Sequence, residues 1–305
     1  MKVLMIPSFP TRPGTDGISR VVEAYQKYLP EYGIEFVHEG EDYDIKVAHA
    51  GVEICDVCML HGLYWTNDYA AAEWEWESNR TIVECLRQAK QVTVPSAWVA
   101  ETLQRDMRLS PTVVPHGIDW QDWVHHHDSD GYVLWNKNRA GSDVCDPTPV
   151  AILASRFPSI KFISTFAPAN RPQNVAVTGR VPFAQMKQMV QRAGVYLATA
   201  KETWGIGCVE AMASGVPVLA FDHGGAREMV QHGTNGYMAK PGDWDDLSAG
   251  LAYCLEHRDV LGANGTEMAK RWSWRAACEI VARVYHAALA EDKRPMTIDR
   301  GLYEN

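Results

Sequence analysis

Long hydrophobic runs are missing from this sequence. Of its 305 residues 46% are hydrophobic, yet no apolar stretch approaches the ~18 residues that a membrane-spanning helix needs. The opening segment MKVLMIPSFP has one Lys, and its apolar run stops at Pro7. That pattern is typical of a first β-strand and not of a secretory signal. The sequence therefore predicts a cytoplasmic protein without stable membrane insertion.

Cysteines are few and irregularly spaced. The chain has 7, an odd number without the spacing of a disulfide framework, which indicates reduced thiols. Cys55 and Cys58 form a C-x-x-C inside the apolar segment EICDVCML, and no second C-x-x-C completes a zinc site. The three histidines at 125–127 fall in a polar stretch that is typical of a solvated linker. No metal site is predicted.

Positive charge is scarce in the first part of the chain. Residues 1–119 hold 10 Lys or Arg against 18 Asp or Glu, whereas the remaining 186 residues hold 19 against 20. The acidic first part disfavours polyanionic partners such as nucleic acid, because affinity for a phosphate backbone is largely electrostatic. The exception would be a local cluster of basic residues, for which the candidates are Arg12, Arg20, Lys27, Arg80 and Arg87.

Short apolar strands alternate with helical segments along the whole chain. Strand-like segments in the first half are KVLMIP, VCMLHG, QVTVPS and TVVPHGID. Those in the second half are YVLWNK, VAILASRFP, KFISTFA, NVAVTGRVP, GVYLAT, VPVLAF and GYMAK. Helical segments include RVVEAYQKYL, WVAETLQRDM and the residues after Trp274. This alternation predicts an α/β fold with parallel sheets that helices cover on both faces.

The length and the pattern together predict two domains. A chain of 305 residues is long enough for two ordinary cores. We place a Rossmann-like domain at 1–122 and a second one at 130–285, joined by the polar linker. Doubly wound domains bind ligands at the carboxyl ends of their strands, so a cleft is expected between the two sheets. The tail, 286–305, is a candidate to cross back to the first domain.

The segment KETWGIGCVEAMASG, residues 201–215, places two carboxylates on either side of a glycine-containing turn. It follows the buried strand GVYLAT, so it lies where ligands of doubly wound sheets bind. Gly205 and Gly207 let backbone amides approach a ligand closely. The helix that begins there directs its N-terminus towards the same point, which favours a phosphate. The sequence predicts an anion site between Glu202 and Glu210.

The two carboxylates flank this phosphate position, and each suits hydroxyl groups better than phosphate. Glu210 lies about one helical turn in, where it could accept the hydroxyls of a ribose. Glu202 precedes the turn and could accept those of a sugar on the other side of the phosphates. The order carboxylate, amides, carboxylate therefore predicts a nucleotide-sugar site. Two alternatives stay open: glutamates that only complement the helix dipole, and a glycosidase pair, in which the glycine turn has no role.

The same segment resembles the E-x7-E signature of the family 4 retaining glycosyltransferases, which have the GT-B fold. The segments DHGGAREMVQHGTNGYMAKPGD, VTGRVPFAQMKQMVQRAGVYLATAKE, VTVPSAWVAETLQ and VVPHGID are also similar to that family. The resemblance covers nearly all of the second domain and parts of the first. The short first domain is similar to the compact, phage-encoded type. The resemblance implies an acceptor-side first domain and a nucleotide-sugar-binding second domain.

The resemblance also implies roles for single residues. Glu202 would hold the donor sugar, Glu210 the ribose, and Gly205, Ile206 and Gly207 the diphosphate. Gly179, Arg180 and Val181 would lie against the base. The family has an Arg and a Lys for the leaving diphosphate in a G-R-L…K-G pattern. This chain has WNKNRAGSD there, which assigns Lys137 and Arg139 by position and chemistry.

Further candidates lie in the first domain. PTRPGTDGISR resembles the family's glycine-rich loop, with Gly14 and Arg20 on the acceptor side and Gly17 at the donor; a turn that caps the first helix is the alternative. His61 would lie near the reacting sugar, although a lone histidine is more often structural. Ser96 ends a similar strand. Trp65, with Trp74 and Trp76, could stack on an acceptor ring or belong to the core.

The predicted reaction is retaining transfer of a glycosyl group from a nucleotide diphosphate sugar, with UDP-sugar as the expected donor, to an acceptor hydroxyl of a glycan or small molecule. The resemblance implies no enzymic nucleophile. No cofactor or essential metal is expected, since Lys137 and Arg139 supply positive charge. Three alternatives stay open: transfer to 5-hydroxymethylpyrimidine bases of DNA, a sugar-nucleotide epimerase, and a non-catalytic nucleotide-sugar-binding protein.

Overall fold

The computed structural model describes residues 1–7, 17–62, 73–124, 129–137 and 143–291. These residues form two six-stranded parallel sheets with helices packed against them. The prediction of an α/β fold built from two doubly wound parallel sheets is thereby confirmed. The domain bounds at 122 and 130 stay predictions.

The first sheet has the strand order β2-β1-β3-β4-β5-β6. Its helices include α1 (Gly17–Tyr28), α2 (Glu73–Gln88) and α3 (Ala97–Met107). Each neighbouring pair of strands is parallel, so the carboxyl ends of all six meet at one edge. The strands are β1 (Lys2–Ile6), β2 (Glu35–Val37), β3 (Ile45–His49), β4 (Val57–Met59), β5 (Gln91–Val94) and β6 (Thr112–Val113).

The second sheet has the order β12-β11-β10-β7-β8-β9, again all parallel. Its strands are β7 (Val133–Trp135), β8 (Phe162–Ser164), β9 (Val175–Val177), β10 (Val195–Ala198), β11 (Val218–Phe221) and β12 (Gly236–Ala239). The helices of this half are α4 (Thr148–Arg156), α5 (Phe183–Gln191), α6 (Ile206–Ala213), α7 (Ala226–Met229), α8 (Trp244–Glu256) and α9 (Arg258–Ala269).

The last helix, α10 (Trp274–Ala290), packs on the first sheet although it follows the second sheet in the chain. Its buried residues, among them Cys278, Val281 and Tyr285, share one core with β1, β3 and α1. Lys90 Nζ donates to the main-chain carbonyl of Ala288 at 3.3 Å. The helix thus links the two halves. The tail beyond residue 291 lies outside the described residues.

Gly117, in the PHG turn after β6, lies very close to the first residue of α10. A Cβ at Gly117 would lie 2.2 Å from the main-chain nitrogen of Trp274. Only a residue without a side chain fits at that distance, because the neighbouring atoms belong to backbone and cannot move aside. The turn between the two halves is therefore packed directly on the start of α10.

The structure differs from the sequence prediction in one element assignment and in two strands that were not predicted. VAILASRFP, interpreted as a strand, forms most of α4. Asp146 Oδ1 accepts from the main-chain N–H of Thr148 at 2.9 Å and so satisfies an amide at the start of that helix. The sequence reasoning also omitted β2 and β3.

Among the described residues, no helix is long and apolar enough to cross a membrane.

Candidate active site

The turn between β10 and α6 forms the centre of the candidate site. Gly205 has φ +94°, a left-handed conformation that favours glycine, and α6 begins at the next residue. A Cβ on Gly207 would lie 2.2 Å from Tyr196 Oη, so α6 rests closely on β10. The first amides of a helix have no partner within it. The N-terminus of α6 is therefore held at the carboxyl edge of the second sheet, as predicted.

Lys137 and Glu202 form an ion pair at this edge. Lys137 Nζ lies 2.9 Å from Glu202 Oε2, and the two side chains are 5% and 34% exposed. Thr165 fixes Lys137 from both sides: its Oγ1 accepts from the Lys137 N–H and donates to the Lys137 carbonyl, both at 2.8 Å. Burial is the largest single influence and lowers the pKa of Lys137, but Glu202 together with Tyr196, Cys145 and Cys208 raises it by more, so the pKa lies above its usual value. Lys137 is a fixed positive charge beside the turn.

Glu210 and Arg20 form a second ion pair, which joins the two halves of the protein. Glu210 lies in α6 with its side chain 2% exposed, and Arg20 Nη2, from α1, donates to its Oε1. The Arg20 guanidinium also lies 5.3 Å from the ring centroid of Phe183, the first residue of α5. Burial raises the pKa of Glu210 and Arg20 opposes that rise, with a net upward shift. The site thus contains a buried carboxylate, Glu210, with the Arg20 guanidinium on one of its oxygens.

Three histidines converge at the strand ends of the first sheet. His49 Nδ1 lies 2.8 Å from His61 Nε2, and His61 Nδ1 lies 3.2 Å from His116 Nε2. The rings of His49 and His61 are stacked, with centroids 5.0 Å apart. A neutral imidazole carries one N–H, so His61 donates to one neighbour and accepts from the other. For His61 to bind a substrate hydroxyl, one of these contacts would have to be exchanged.

Burial keeps this histidine chain neutral near pH 7. It lowers the pKa of His61 to about 4 and lowers those of His49 and His116 well below their usual value. Neither His49 Nε2 nor His116 Nδ1 has a hydrogen-bond partner among the residues that the structure describes. The row of three histidines therefore has a buried ring nitrogen at each end, His49 Nε2 and His116 Nδ1.

The turn of the second sheet contacts the strand ends of the first sheet. Thr203 Oγ1, next to Glu202, donates to the main-chain carbonyl of His61 at 2.6 Å. The Ala97 N–H, at the start of α3, donates to Glu228 Oε1 at 2.6 Å. Elements of both sheets therefore line one site, which contains Glu202, Glu210, Lys137, Arg20 and His61.

The other predicted residues have different surroundings. Arg180 is exposed and Val181 half-buried just before α5, and the preceding Gly179 has φ +67°. Gly17 is the first residue of α1. Ser96 is fully buried, and its Oγ accepts from the Val99 N–H at 3.3 Å as the N-cap of α3.

Several predicted residues have no described surroundings. Gly14, Trp65 and Arg139 lie outside the described residues. Trp74 belongs to α2, and Trp76 on the same helix is 63% exposed, which places it on the surface.

Within the described ranges, no group of three or more His, Cys, Asp or Glu side chains could hold a metal ion. Cys55 and Cys58 are buried, and Cys55 Sγ lies 3.4 Å from Cys85 Sγ.

Sequence reasoning missed His49, His116, Thr165 and Tyr196 as neighbours of the site. His49 ends β3, a strand that was not predicted, so no local signal placed it near His61. His116 follows β6 in the PHG turn and was quoted only as part of a domain end. Since parallel strand ends meet at one edge, the correct strand list would have placed both histidines beside His61.

Comparison with known proteins finds a family-model match in the second half of the chain. Residues 167–277 match the model of the family described as Glycosyl transferases group 1. The match includes α5, β10, α6 and β11, and so both Glu202 and Glu210.

Curated relatives match over limited segments. The chain is 30% identical to an uncharacterized glycosyltransferase of Methanocaldococcus jannaschii over 129 residues, which are 41% of this chain and 37% of the relative. It is 29% identical to a D-inositol 3-phosphate glycosyltransferase of Corynebacterium kroppenstedtii over 169 residues, which are 54% and 35%. The chain thus spans just over a third of the length of these two relatives.

Solved structures match over nearly the whole chain. Sucrose-phosphate synthase from Thermosynechococcus elongatus superposes with a TM-score of 0.73 at 13% identity, over 95% of this chain and 99% of that one. Anabaena HepE in complex with UDP and glucose gives a TM-score of 0.71 at 15% identity, over 94% and 100%. The fold is GT-B. At such low identity, these structures establish the architecture alone.

Proposed function

We propose that this protein is a glycosyltransferase that moves a glycosyl group, with retention, from a nucleotide diphosphate sugar to an acceptor hydroxyl. The arrangement of Glu202 and Glu210 carries the proposal. The two carboxylates lie before and within α6, on either side of a left-handed glycine turn, and a cation contacts each of them. The family match over the same residues supports it.

The donor would bind across this turn. Glu210 would accept the ribose hydroxyls and Glu202 the hydroxyls of the transferred sugar, while the amides of Ile206 and Gly207 face the diphosphate between them. Gly179, Arg180 and Val181, just before α5, would lie against the base. The two carboxylates accept hydrogen bonds from the hydroxyls of the sugar and the ribose, and the amides donate hydrogen bonds to the phosphates. This arrangement matches the hydrogen-bonding groups of a nucleotide sugar.

Charge stabilisation would supply most of the catalysis. Bond cleavage leaves negative charge on the departing diphosphate, and Lys137 with the α6 amides is preorganised to receive it. The departing diphosphate oxygen would take the acceptor proton on the same face of the sugar. We propose that no metal is essential, because these positive groups neutralise the diphosphate.

A UDP-sugar is the proposed donor. The HepE structure with a similar fold contains UDP and glucose, which supports a uridine nucleotide without deciding the base here. The proposed acceptor is a hydroxyl of a glycan or small molecule. One relative is a D-inositol 3-phosphate glycosyltransferase, and inositol phosphate is a small molecule that bears hydroxyl groups. The names of the relatives do not mention DNA. They lend no support to transfer onto DNA or to the compact phage-encoded type.

The test is release of nucleoside diphosphate from UDP-, GDP- and ADP-sugars. Each donor is incubated alone, with simple sugar acceptors, and with DNA containing 5-hydroxymethylpyrimidines. Parallel samples contain a metal chelator. The variants are wild type, Glu202→Gln, and Glu256→Gln as a matched control, since Glu256 is an exposed carboxylate at the end of α8.

We expect release that needs a sugar or small-molecule acceptor, persists with chelator and in Glu256→Gln, and falls at least 100-fold in Glu202→Gln. Release that requires DNA would assign the DNA-modifying alternative. An isomerised sugar nucleotide without any acceptor would indicate an epimerase. Donor binding without turnover of any donor would indicate a non-catalytic binding protein. Each of these three results would overturn the proposal.

A further inference from the structure

Arg20 occupies one oxygen of the carboxylate that the donor ribose needs. Glu210 is buried, and Arg20 Nη2 donates to its Oε1 from α1, on the other half of the protein. A ribose that gives one hydroxyl to each carboxylate oxygen of Glu210 must either share Oε1 with the guanidinium or displace it. The proposed nucleotide site is therefore partly filled by a side chain of the protein itself.

We propose that Arg20 binds the donor diphosphate and exchanges onto it from Glu210 when the nucleotide enters. This inference rests on the function proposed above and assigns Arg20 to the donor. Sequence reasoning had placed Arg20 among the acceptor-side candidates. In the ligand-free protein the pair holds α1 against α6, and the exchange replaces a carboxylate partner of the guanidinium with a phosphate partner.

The distances along α6 make the exchange possible. Glu210 lies four residues after Ile206, the first residue of the helix, which corresponds to about 6 Å along the axis. A guanidinium that reaches Glu210 is thus within one helical turn of the amides that would face the diphosphate. The planar guanidinium matches phosphate oxygens in shape and charge. Phe183, under the guanidinium at 5.3 Å, supports the side chain at this position.

The exchange makes the diphosphate a requirement for tight binding. A nucleoside without phosphates must displace Arg20 from Glu210 and gives the guanidinium no new partner. A nucleoside diphosphate displaces Arg20 and binds it again through a phosphate. The site would therefore discriminate against nucleosides by more than the phosphate contacts of the second half alone provide.

The affinities for nucleosides and for nucleoside diphosphates should change in opposite directions when Arg20 is replaced by a neutral residue. We propose calorimetric titration of wild type and Arg20→Gln with UDP, GDP and ADP and with the matching nucleosides. In Arg20→Gln the nucleoside should bind several-fold more tightly, because Glu210 is no longer occupied. The diphosphate should bind about tenfold more weakly, the effect of one lost charge-assisted hydrogen bond.

Lys27→Gln is the matched control. Lys27 lies on the same helix and also forms an ion pair, with its Nζ 2.9 Å from Asp119 Oδ2, but this pair is more exposed than Arg20–Glu210 and lies outside the site. Its neutralisation should leave both affinities unchanged. A general effect of weakened α1 contacts would instead lower the affinities in both variants.

Glu210→Gln tests the exchange without removing Arg20, and so covers the case in which Arg20→Gln leaves an unpaired buried carboxylate and does not fold. Inorganic pyrophosphate is the probe, because it has no ribose. Pyrophosphate should bind several-fold more tightly to Glu210→Gln than to wild type, since the guanidinium is already released. Unchanged or weaker pyrophosphate binding in Glu210→Gln would overturn the exchange.

The outcomes separate this inference from the proposed function. If wild type binds a diphosphate and Arg20→Gln weakens nucleoside and diphosphate in the same proportion, the exchange is wrong and the nucleotide site stands. If wild type binds none of UDP, GDP and ADP, the proposed function is wrong and the exchange falls with it. Opposite shifts of nucleoside and diphosphate support both.

Discussion

Lys137 Nζ lies 2.9 Å from Glu202 Oε2, so the cation assigned to the diphosphate contacts the carboxylate assigned to the sugar. Both residues follow strands of the second sheet, β7 and β10, which are neighbours. The pair therefore marks the point where the sugar and the leaving group would separate. It also helps to keep a buried lysine charged, since burial lowers the pKa of Lys137 but Glu202 and three further neighbours together raise it by more.

Replacing Lys137 by Met should therefore impair the chemical step more than donor binding. Met retains the length of the side chain but removes the charge that is proposed to receive the leaving diphosphate. We expect kcat to fall about 100-fold or more, with a smaller change in KM for the donor. The measurement is steady-state kinetics of nucleoside diphosphate release. Equal and small effects on kcat and KM would contradict the role assigned to Lys137.

Part of this site was predictable from the sequence, because its residues follow one another in local motifs. The E-x7-E pattern placed Glu202, Gly205, Gly207 and Glu210 around a strand–turn–helix that the structure contains. Lys137 was assigned to the leaving diphosphate through the resemblance, and in the structure it follows β7, the neighbour of β10 in the sheet. Its contact with Glu202 was not predicted.

The rest was not predictable because it depends on packing between distant elements. Arg20 is 190 residues away from Glu210 in the sequence, and only the seating of α1 against α6 joins them. The residues of α4 are apolar on several sides, so their pattern does not separate a buried helix from a strand. The histidine chain needed β3, whose segment DIKVAHA is flanked by acidic residues and was not recognised as a strand.

The neutral histidine chain predicts that stability falls as the pH is lowered. The unfolded chain binds protons on histidine near pH 6.5, whereas folded His61 does so at about pH 4. Between these values the unfolded state binds more protons, so the free energy of unfolding decreases as the pH falls from about 6.5 to about 4. The stabilising contribution is fully present above about pH 6.5. Urea unfolding at a series of pH values measures this slope.

The variant His61→Gln tests whether His61 causes this pH dependence of the free energy of unfolding. Gln retains a donor and an acceptor but does not titrate, so the pH dependence of the free energy of unfolding should be shallower than in wild type. Each unit of pKa difference corresponds to about 1.4 kcal/mol. If the slope between about pH 6.5 and 4 were the same in both proteins, His61 would not be the group responsible.

Gly207 should not tolerate a side chain, because the added Cβ would lie 2.2 Å from Tyr196 Oη. We expect Gly207→Ala to lower the free energy of unfolding by about 1–3 kcal/mol, the usual range for overpacking. Thermal and urea unfolding measure the loss. Gly17→Ala is the control, since a Cβ there meets no atom of the described part of the chain within 4 Å, and it should be nearly neutral.

The double variant Gly207→Ala/Tyr196→Phe identifies the cause of that loss. Phe lacks the hydroxyl that the alanine methyl would meet, so part of the stability should return. The recovery should be incomplete, because Tyr196 Cζ would still lie 3.0 Å from the added Cβ. Strictly additive effects of the two substitutions would show that the clash with the hydroxyl is not what destabilises Gly207→Ala.

Glu202, the start of α6 and Glu210 are proposed to bind, in this order, the sugar, the diphosphate and the ribose of the donor. Calorimetric titration of wild type and Glu202→Ala with UDP-glucose and with UDP tests this order directly, and the GDP and ADP pairs serve if the base differs. Because the sugar is the only part of the donor that Glu202 would contact, Glu202→Ala should lose about tenfold or more of its affinity for the nucleotide sugar relative to its affinity for the nucleoside diphosphate. The nucleoside diphosphate should bind at least as tightly as it does to wild type, since Lys137 loses its carboxylate partner. An equal loss for both ligands, or no loss for either, would contradict the account.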